Sequence, residues 1–154
     1  PLTTLYSHNT KAIDAKAPRL AFIRNAFPIV LRGEFPHTGS IASHSDTEMP
    51  SRNYSIDEGV WVEEEDTGKP IRLKDLCDID ENGVVESIDR SDKRPVVHWV
   101  AGGKPSKLTI ATGQDIITVE GIMEDNTYPV GTIVQLERIG YAIIESNGLL
   151  MVHD

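Results

Sequence analysis

Residues 131–144 read GTIVQLERIGYAII. β-branched and aromatic residues dominate the stretch, as they do in strands. Alternation sends Val134 and Leu136 to a core and Gln135 and Glu137 to the opposite side. The long polar groups Gln135, Glu137 and Arg138 therefore interrupt an otherwise apolar run. Gly140 stands where a side chain would pack, and it predicts a bulge or a close approach that turns Arg138 outward.

Working outward, the same grain recurs along the chain. Short β-rich runs such as RLAFI, FPIVLRG, EGVWVEE, KPIRLKDL, RPVVHWVAGG, SKLTIATG and DIITVEG alternate with turn residues. Runs this short, about 8–12 residues apart, predict antiparallel sandwiches or barrels rather than alternating βα units. Residues 5–17 predict a short helix, favoured by Ala12, Ala15 and Ala17 and ended by Pro18. The expected fold is all-β: two small linked antiparallel β-barrels with a short N-terminal helix. Residues 36–55 are polar and rich in turn formers, and they predict a long loop.

The totals bound the function. A chain of 154 residues holds one sizeable domain or two small ones. It has no run of about 20 apolar residues and no signal-peptide pattern, so a cytoplasmic protein without a membrane partner is expected. The single cysteine, Cys77, fits a reducing compartment. Residue 1 is proline, which suits a fragment or a processed product. The formal net charge of -9 argues against a nucleic-acid partner. Yet Asp57, Glu58, Glu63, Glu64, Glu65 and Asp66 are bunched, and screening beyond about 8–10 Å leaves room for a local basic face.

DIDENGVVESID, residues 78–89, matches a calcium loop at Asp78, Asp80, Asn82 and Gly83 but ends on Asp89 instead of a bidentate glutamate. Asn82-Gly83 between β-rich runs predicts a hairpin instead. His8, His37, His44, His98 and His153 lack metal-ligand spacing, so no metal site is expected. His98-Trp99 lies in an apolar run and reads as a core histidine with a hydrogen-bond partner beside a packed indole. SHSD at 43–46 has no nucleophile elbow, and Glu63 to Asp66 read as a solvated charged turn. Arg19, Arg72 and Arg138, with Lys69 and Lys74 flanking Arg72, stand in strand or strand-edge contexts. Guanidinium forks suit phosphates and base edges, provided that they converge on one face.

Four segments resemble a known family, in its order. LYSHNTKAIDAKAPR is similar to the entry of the anticodon-binding region of glutamyl- and glutaminyl-tRNA synthetases. GKPIRLKDL resembles its next recurring segment, PVVHWV its His-Trp signature, and VEGIMEDNTYPVGTIVQLERIGYAII its closing segment. The wording VQLERIGY is most like glutamyl-tRNA synthetases of the archaeal and eukaryotic type.

The resemblance implies a linking helix at 1–17, a proximal barrel from 18–62 and 116–154, and a distal barrel from 63–115. It implies that the catalytic half, with the ATP signature motifs absent here, lies upstream. ATP with magnesium then belongs to the parent enzyme, and no cofactor to this fragment. By the same resemblance the partner is tRNA for glutamate, with glutamine isoacceptors as second candidate and no DNA. Arg19, Gln135 and Arg138 correspond to residues around the middle anticodon base, and Arg72 to an arginine near the first. Lys69, Lys74, Glu137 and Gly140 are expected to support them, with Glu137 bracing an arginine. The family's basic, tyrosine-containing segment ahead of that arginine is replaced by VEEEDTG. A splayed uridine offers two carbonyl acceptors and one N–H, which a glutamine and an arginine can satisfy together.

Two other classes compete. A free-standing β-barrel module that docks a protein through its loops is favoured by the net charge. A hydrolase using Glu63, Glu64, Glu65 and Asp66 predicts a deep acidic pocket with a raised carboxyl pKa.

Overall fold

The computed structural model describes residues 17–41 and 52–152. The expected helix at 5–17 and the histidines His8, His44 and His153 lie outside the described residues, Ala17 excepted. The described elements are β-strands and one 3₁₀ turn, Glu64–Asp66. In order the strands are β1 (Arg19–Leu20), β2 (Phe22–Arg24), β3 (Ala26–Val30), β4 (Thr38–Ile41), β5 (Arg52–Ser55), β6 (Gly59–Glu63), β7 (Ile71–Leu73) and β8 (Cys77–Ile79). There follow β9 (Val85–Ser87), β10 (Val96–Val97), β11 (Lys104–Thr112), β12 (Asp115–Met123), β13 (Ile133–Leu136), β14 (Gly140–Glu145) and β15 (Gly148–Met151).

Seven strands form one sheet in the order β1-β13-β14-β15-β11-β12-β2. Its two edges are consecutive in sequence and separated only by Ala21, so a single N-terminal run carries both. β1 pairs in parallel with β13, Arg19 opposite Gln135. β2 pairs antiparallel with β12, Arg24 opposite Gly121. The sheet is thereby nearly closed into a barrel. A Cβ on Gly121 would collide with the Ile23 carbonyl, so the seam depends on a residue without one.

After Arg19, the run LAFI at residues 20–23 is apolar throughout because both of its faces are buried. Leu20 and Phe22 point into the barrel core with Leu108, Val134, Leu136, Ala142, Ile144 and Leu149. Ala21 and Ile23 point the other way, against Val100 and the partly buried Ala26, Trp61 and Ile122. A second large core gathers Leu31, Ile56, Val60, Val62, Ile71, Leu73, Leu76, Ile79, Val97 and Trp99, among others. Its walls are a four-stranded sheet, β10-β7-β8-β9, and the two-stranded ribbons β3-β6 and β4-β5. Pairing is mostly antiparallel, with short parallel matches at β1/β13, β10/β7 and β11/β15.

Strand pairing shows how the chain is shared between the two cores. Strands β3 to β6 border the second core, and Ala26–Val30 pairs along its whole length with Gly59–Glu63. β11 stays with the barrel, because it pairs with β12 at every residue from Lys104↔Met123 to Thr112↔Asp115. A hairpin that tight cannot be split between two units.

Three local expectations also change. The stretch 133–144 is two strands, not one bulged strand: Leu136 pairs with Gly140, and Ile139 N–H donates to the Leu136 carbonyl at 3.1 Å. Arg138 itself makes the turn, at φ +66°, beside Gly140 at +137°. The 36–55 stretch is not loop throughout, since its ends pair as β4 and β5, Thr38 opposite Ser55. The acidic run is no solvated face either, for Glu63 and Asp66 are buried at 1% and 4% exposure.

The Asn82-Gly83 hairpin is present. Asp80 Oδ1 accepts the N–H groups of Asn82 and Val84, and Gly83 takes φ +83°. Asp78, the first of the calcium-like positions, turns inward to Arg72 and Ser91. Trp99 is a packed indole whose N–H donates to the Lys74 carbonyl at 2.9 Å.

Candidate functional site

Where the barrel meets the second core, Arg19, Gln135, Glu137, Arg138 and Lys74 line one cleft with His98, Val96 and Val97, about 270 Å³ in volume. Chain folding explains the assembly. β1 carries Arg19, β13 carries Gln135 on the side opposite Val134 and Leu136, and the following turn presents Glu137 and Arg138. Lys74 follows β7 and closes the cleft from the second core.

Arg19 Nε donates to Gln135 Oε1 at 3.4 Å. The glutamine amide nitrogen keeps its donors, and its oxygen keeps a second lone pair. Arg19, Lys74 and Arg138 face the single carboxylate Glu137 among the lining residues. A locally basic face is thus carved from a chain of net charge -9.

Glu137 accepts Arg52 Nη2 and lies 3.3 Å from Lys74 Nζ. Burial pushes its carboxyl up, but the Arg52 and Lys74 charges outweigh burial and hold it below the usual range. The arginine that it holds is Arg52, which is none of the three arginines singled out in the sequence. That side chain also donates to the Arg19 carbonyl at 3.0 Å and to Glu124 Oε1 at 2.9 Å. It reaches from β5 to the barrel and fixes the backbone that bears Arg19. Glu124, partly buried, has its carboxyl pushed up by desolvation.

Behind the cleft lies an acidic turn. Arg138 Nη1 and Nη2 donate to Asp66 at 2.6 and 3.3 Å, and Nη1 is 3.9 Å from Glu63. Arg24 donates to Glu63 through its backbone N–H, Nε and Nη2. His98 Nε2 stands 3.4 Å from Glu63 Oε1 without hydrogen-bond geometry, and neither ring nitrogen has a bonded partner. The core histidine expected to be hydrogen-bonded is therefore only in ionic reach of one. Burial pushes Glu63 up, yet the His98 ring and the Arg24 guanidinium take it down to about 2. A catalytic carboxyl with a raised pKa, as the hydrolase reading requires, is not what this turn supplies.

Potential ligand atoms of Glu63, Asp66 and His98 lie within 4.8 Å of one another, a spacing that also suits a metal ion. Two guanidinium groups already neutralise the two carboxylates, and Arg138 Nη1 sits in ion-pair reach of both. That arrangement leaves no uncompensated negative charge for a divalent cation.

Two expected residues stand apart. Arg72 donates to Asp78 Oδ1 at 3.0 Å and to the Ile88 carbonyl at 3.1 Å, and it does not line the cleft. Lys69 lines a separate groove with Phe27, Arg32 and Asn82. Gly140 opens β14 at φ +137°, and an added Cβ there would meet the Met151 methyl at 3.5 Å. Sequence reasoning missed Arg52, buried in a stretch read as loop, and the inward pair Glu63 and Asp66. For Glu63 the signal was its place at the end of GVWVE, a β-run with two buried valines.

No helix among the described residues is long and apolar enough to cross a membrane. No family model matches the sequence. Curated relatives do. The chain is 30% identical to a glutamate–tRNA ligase of Thermococcus kodakarensis over 89% of its length. It is 29% identical to one of Pyrococcus abyssi, also over 89%, and 30% to one of Natronomonas pharaonis over 94%. The chain spans 28%, 28% and 27% of those proteins, so it corresponds to under a third of each.

Proposed function

We propose that this chain is the tRNA-binding, C-terminal part of a glutamate–tRNA ligase and that it reads anticodon bases without performing chemistry. The relatives bear that name over nearly the whole of this chain, and the resemblance in four ordered segments points to the same region. The two cores act as proximal and distal barrels gripping the anticodon arm, the closed sheet with residues 19–24 being the proximal one.

The observation that carries the reading is the cleft. Arg19, Gln135 and Arg138, distant in sequence, line one concave, locally basic surface at the junction of the cores. A flipped-out uridine brings two carbonyls and one N–H. Guanidinium groups and the Gln135 amide donate to the carbonyls, and the free lone pair of Gln135 Oε1 accepts the N–H. Binding energy gained there docks the tRNA and places its acceptor end in a remote catalytic site. The parent enzyme uses ATP with magnesium to attach glutamate to tRNA in the cytoplasm. Glutamate isoacceptors are its substrate, with glutamine isoacceptors the second candidate.

The test is a binding titration of this chain with glutamate tRNA and with the same tRNA carrying cytidine at the middle anticodon position, at fixed moderate salt. Preference for uridine is expected. No retention favours the protein-docking module instead, and equal affinity for the two overturns the reading of the middle base.

A further inference from the structure

Because it names what aims a cleft residue, this inference rests on the anticodon reading above. We infer that Asp66 is the positioning residue for Arg138: the acidic turn at 63–66 holds that guanidinium at the angle from which it meets a base.

Arg138 sits at the tip of the β13–β14 turn with φ +66°, and its side chain is 38% exposed. A long side chain on an exposed turn would ordinarily sample many rotamers. Asp66 removes that freedom. Its carboxylate is 6% exposed and receives both terminal nitrogens of Arg138, at 2.6 and 3.3 Å. The 3₁₀ turn holds the carboxylate in place, with the Thr67 N–H and hydroxyl both donating to the Glu64 carbonyl. Glu63 is committed to Arg24 through three bonds, so it does not compete with Asp66 for Arg138.

A guanidinium has five N–H groups. Asp66 engages two, which leaves three for a ligand. The pair is therefore an aiming device and not a closed ion pair. It also joins the two halves of the site, because the turn leaves β6 on the second core and Arg138 leaves β13 on the barrel. Simple charge counting gives the opposite sign for its effect on RNA. Removing an acid beside an RNA-binding cleft should strengthen binding, whereas loss of aim should weaken it.

The experiment uses Asp66→Asn, Asp66→Glu, Arg138→Ala and the Asp66→Asn/Arg138→Ala double variant. Each is titrated with glutamate tRNA bearing uridine or cytidine at the middle anticodon position. Side-chain ¹⁵N spectra of the free chain report whether the Arg138 Nη groups are held or rotate freely. We expect D66N to weaken uridine tRNA by about tenfold, the scale of one bidentate base contact, and cytidine tRNA by much less. D66E should recover part of the loss, and the double variant should bind no worse than R138A alone. Arg138 should be held in the parent chain and freely rotating in D66N. Stronger binding by D66N, equal weakening for both tRNAs, additive losses in the double variant, or a freely rotating Arg138 in the parent chain would overturn the inference. A parent chain that holds Arg138 but does not prefer uridine overturns the anticodon reading, and the inference with it.

Discussion

Arg19 and Gln135 lie opposite each other in a parallel strand pair although 116 positions separate them, and the Arg19 Nε donates to the Gln135 amide oxygen at 3.4 Å. The backbone register alone brings them together, since the strand that opens the barrel is also the neighbour of the strand before the last hairpin.

That pairing gives the first prediction. Arg19→Ala, Gln135→Ala and Arg138→Ala should each weaken uridine-containing tRNA by tenfold or more, about 1–3 kcal/mol for a lost base contact. Arg19 and Gln135 are only partly buried, so their thermal midpoints should change little, whereas Arg138→Ala leaves the buried Asp66 without its partner and should lower the midpoint. Parallel titrations and melting curves check both halves. Unchanged tRNA affinity in all three would exclude the cleft.

Arg72 should behave differently. Its guanidinium compensates Asp78, a carboxylate with no exposed surface. Burial pushes Asp78 up, but Ser91 and Arg72 overcome it and hold the carboxyl down. Arg72→Ala leaves that charge uncompensated and should cost about 3–5 kcal/mol of stability. A urea melt reads this directly. A purely salt-dependent loss of tRNA binding with stability intact would restore the sequence-based role for Arg72 in RNA contact.

Acid should loosen the junction between the cores. The folded pKa of Glu63, about 2, lies below the ordinary carboxylate value. A depressed acid contributes stability that is present above the unfolded pKa, near 4.5, and is lost as pH falls toward 2. The contribution is of order 1–3 kcal/mol. Urea midpoints measured from pH 6 to pH 2.5 should decline, and Glu63→Gln should flatten the decline. An equally steep decline in Glu63→Gln would assign the acid sensitivity to other groups.

Cys77 should be inert in the folded chain. It is fully buried, and burial raises its thiol to about 11. A thiol reagent at neutral pH should react only on unfolding, so its labelling rate in urea tracks the unfolded fraction. Rapid labelling without denaturant would contradict the burial of the second core.

Much of this was legible in the sequence. Val134 and Leu136 alternate inward as period-2 patterning requires, and Asn82-Gly83 turns as its dipeptide demands. Arg19, Gln135 and Arg138 were identifiable by resemblance, and barrel closure then brings them to one place. The illegible part is three-dimensional. Nothing local marks Arg52 as buried, because its partners Glu124 and Glu137 are remote in sequence. Nothing local separates Glu63 and Asp66, which face inward to Arg24 and Arg138, from Glu64 and Glu65, which face water. The hairpin of residues 133–144 was hidden because an arginine, not a glycine, takes the left-handed turn position.

The seam at Ala21 has a mechanical meaning. Since one six-residue ribbon zips both margins of the barrel, detaching it bares the flanks of β12 and β13 simultaneously. Two raw strand margins on one molecule are an invitation to head-to-tail stacking with its neighbours. Substitutions that loosen residues 19–24 should therefore show first as self-association, before any loss of strand or core signal, and Gly121 is the place where a single added methyl would pry the zip apart.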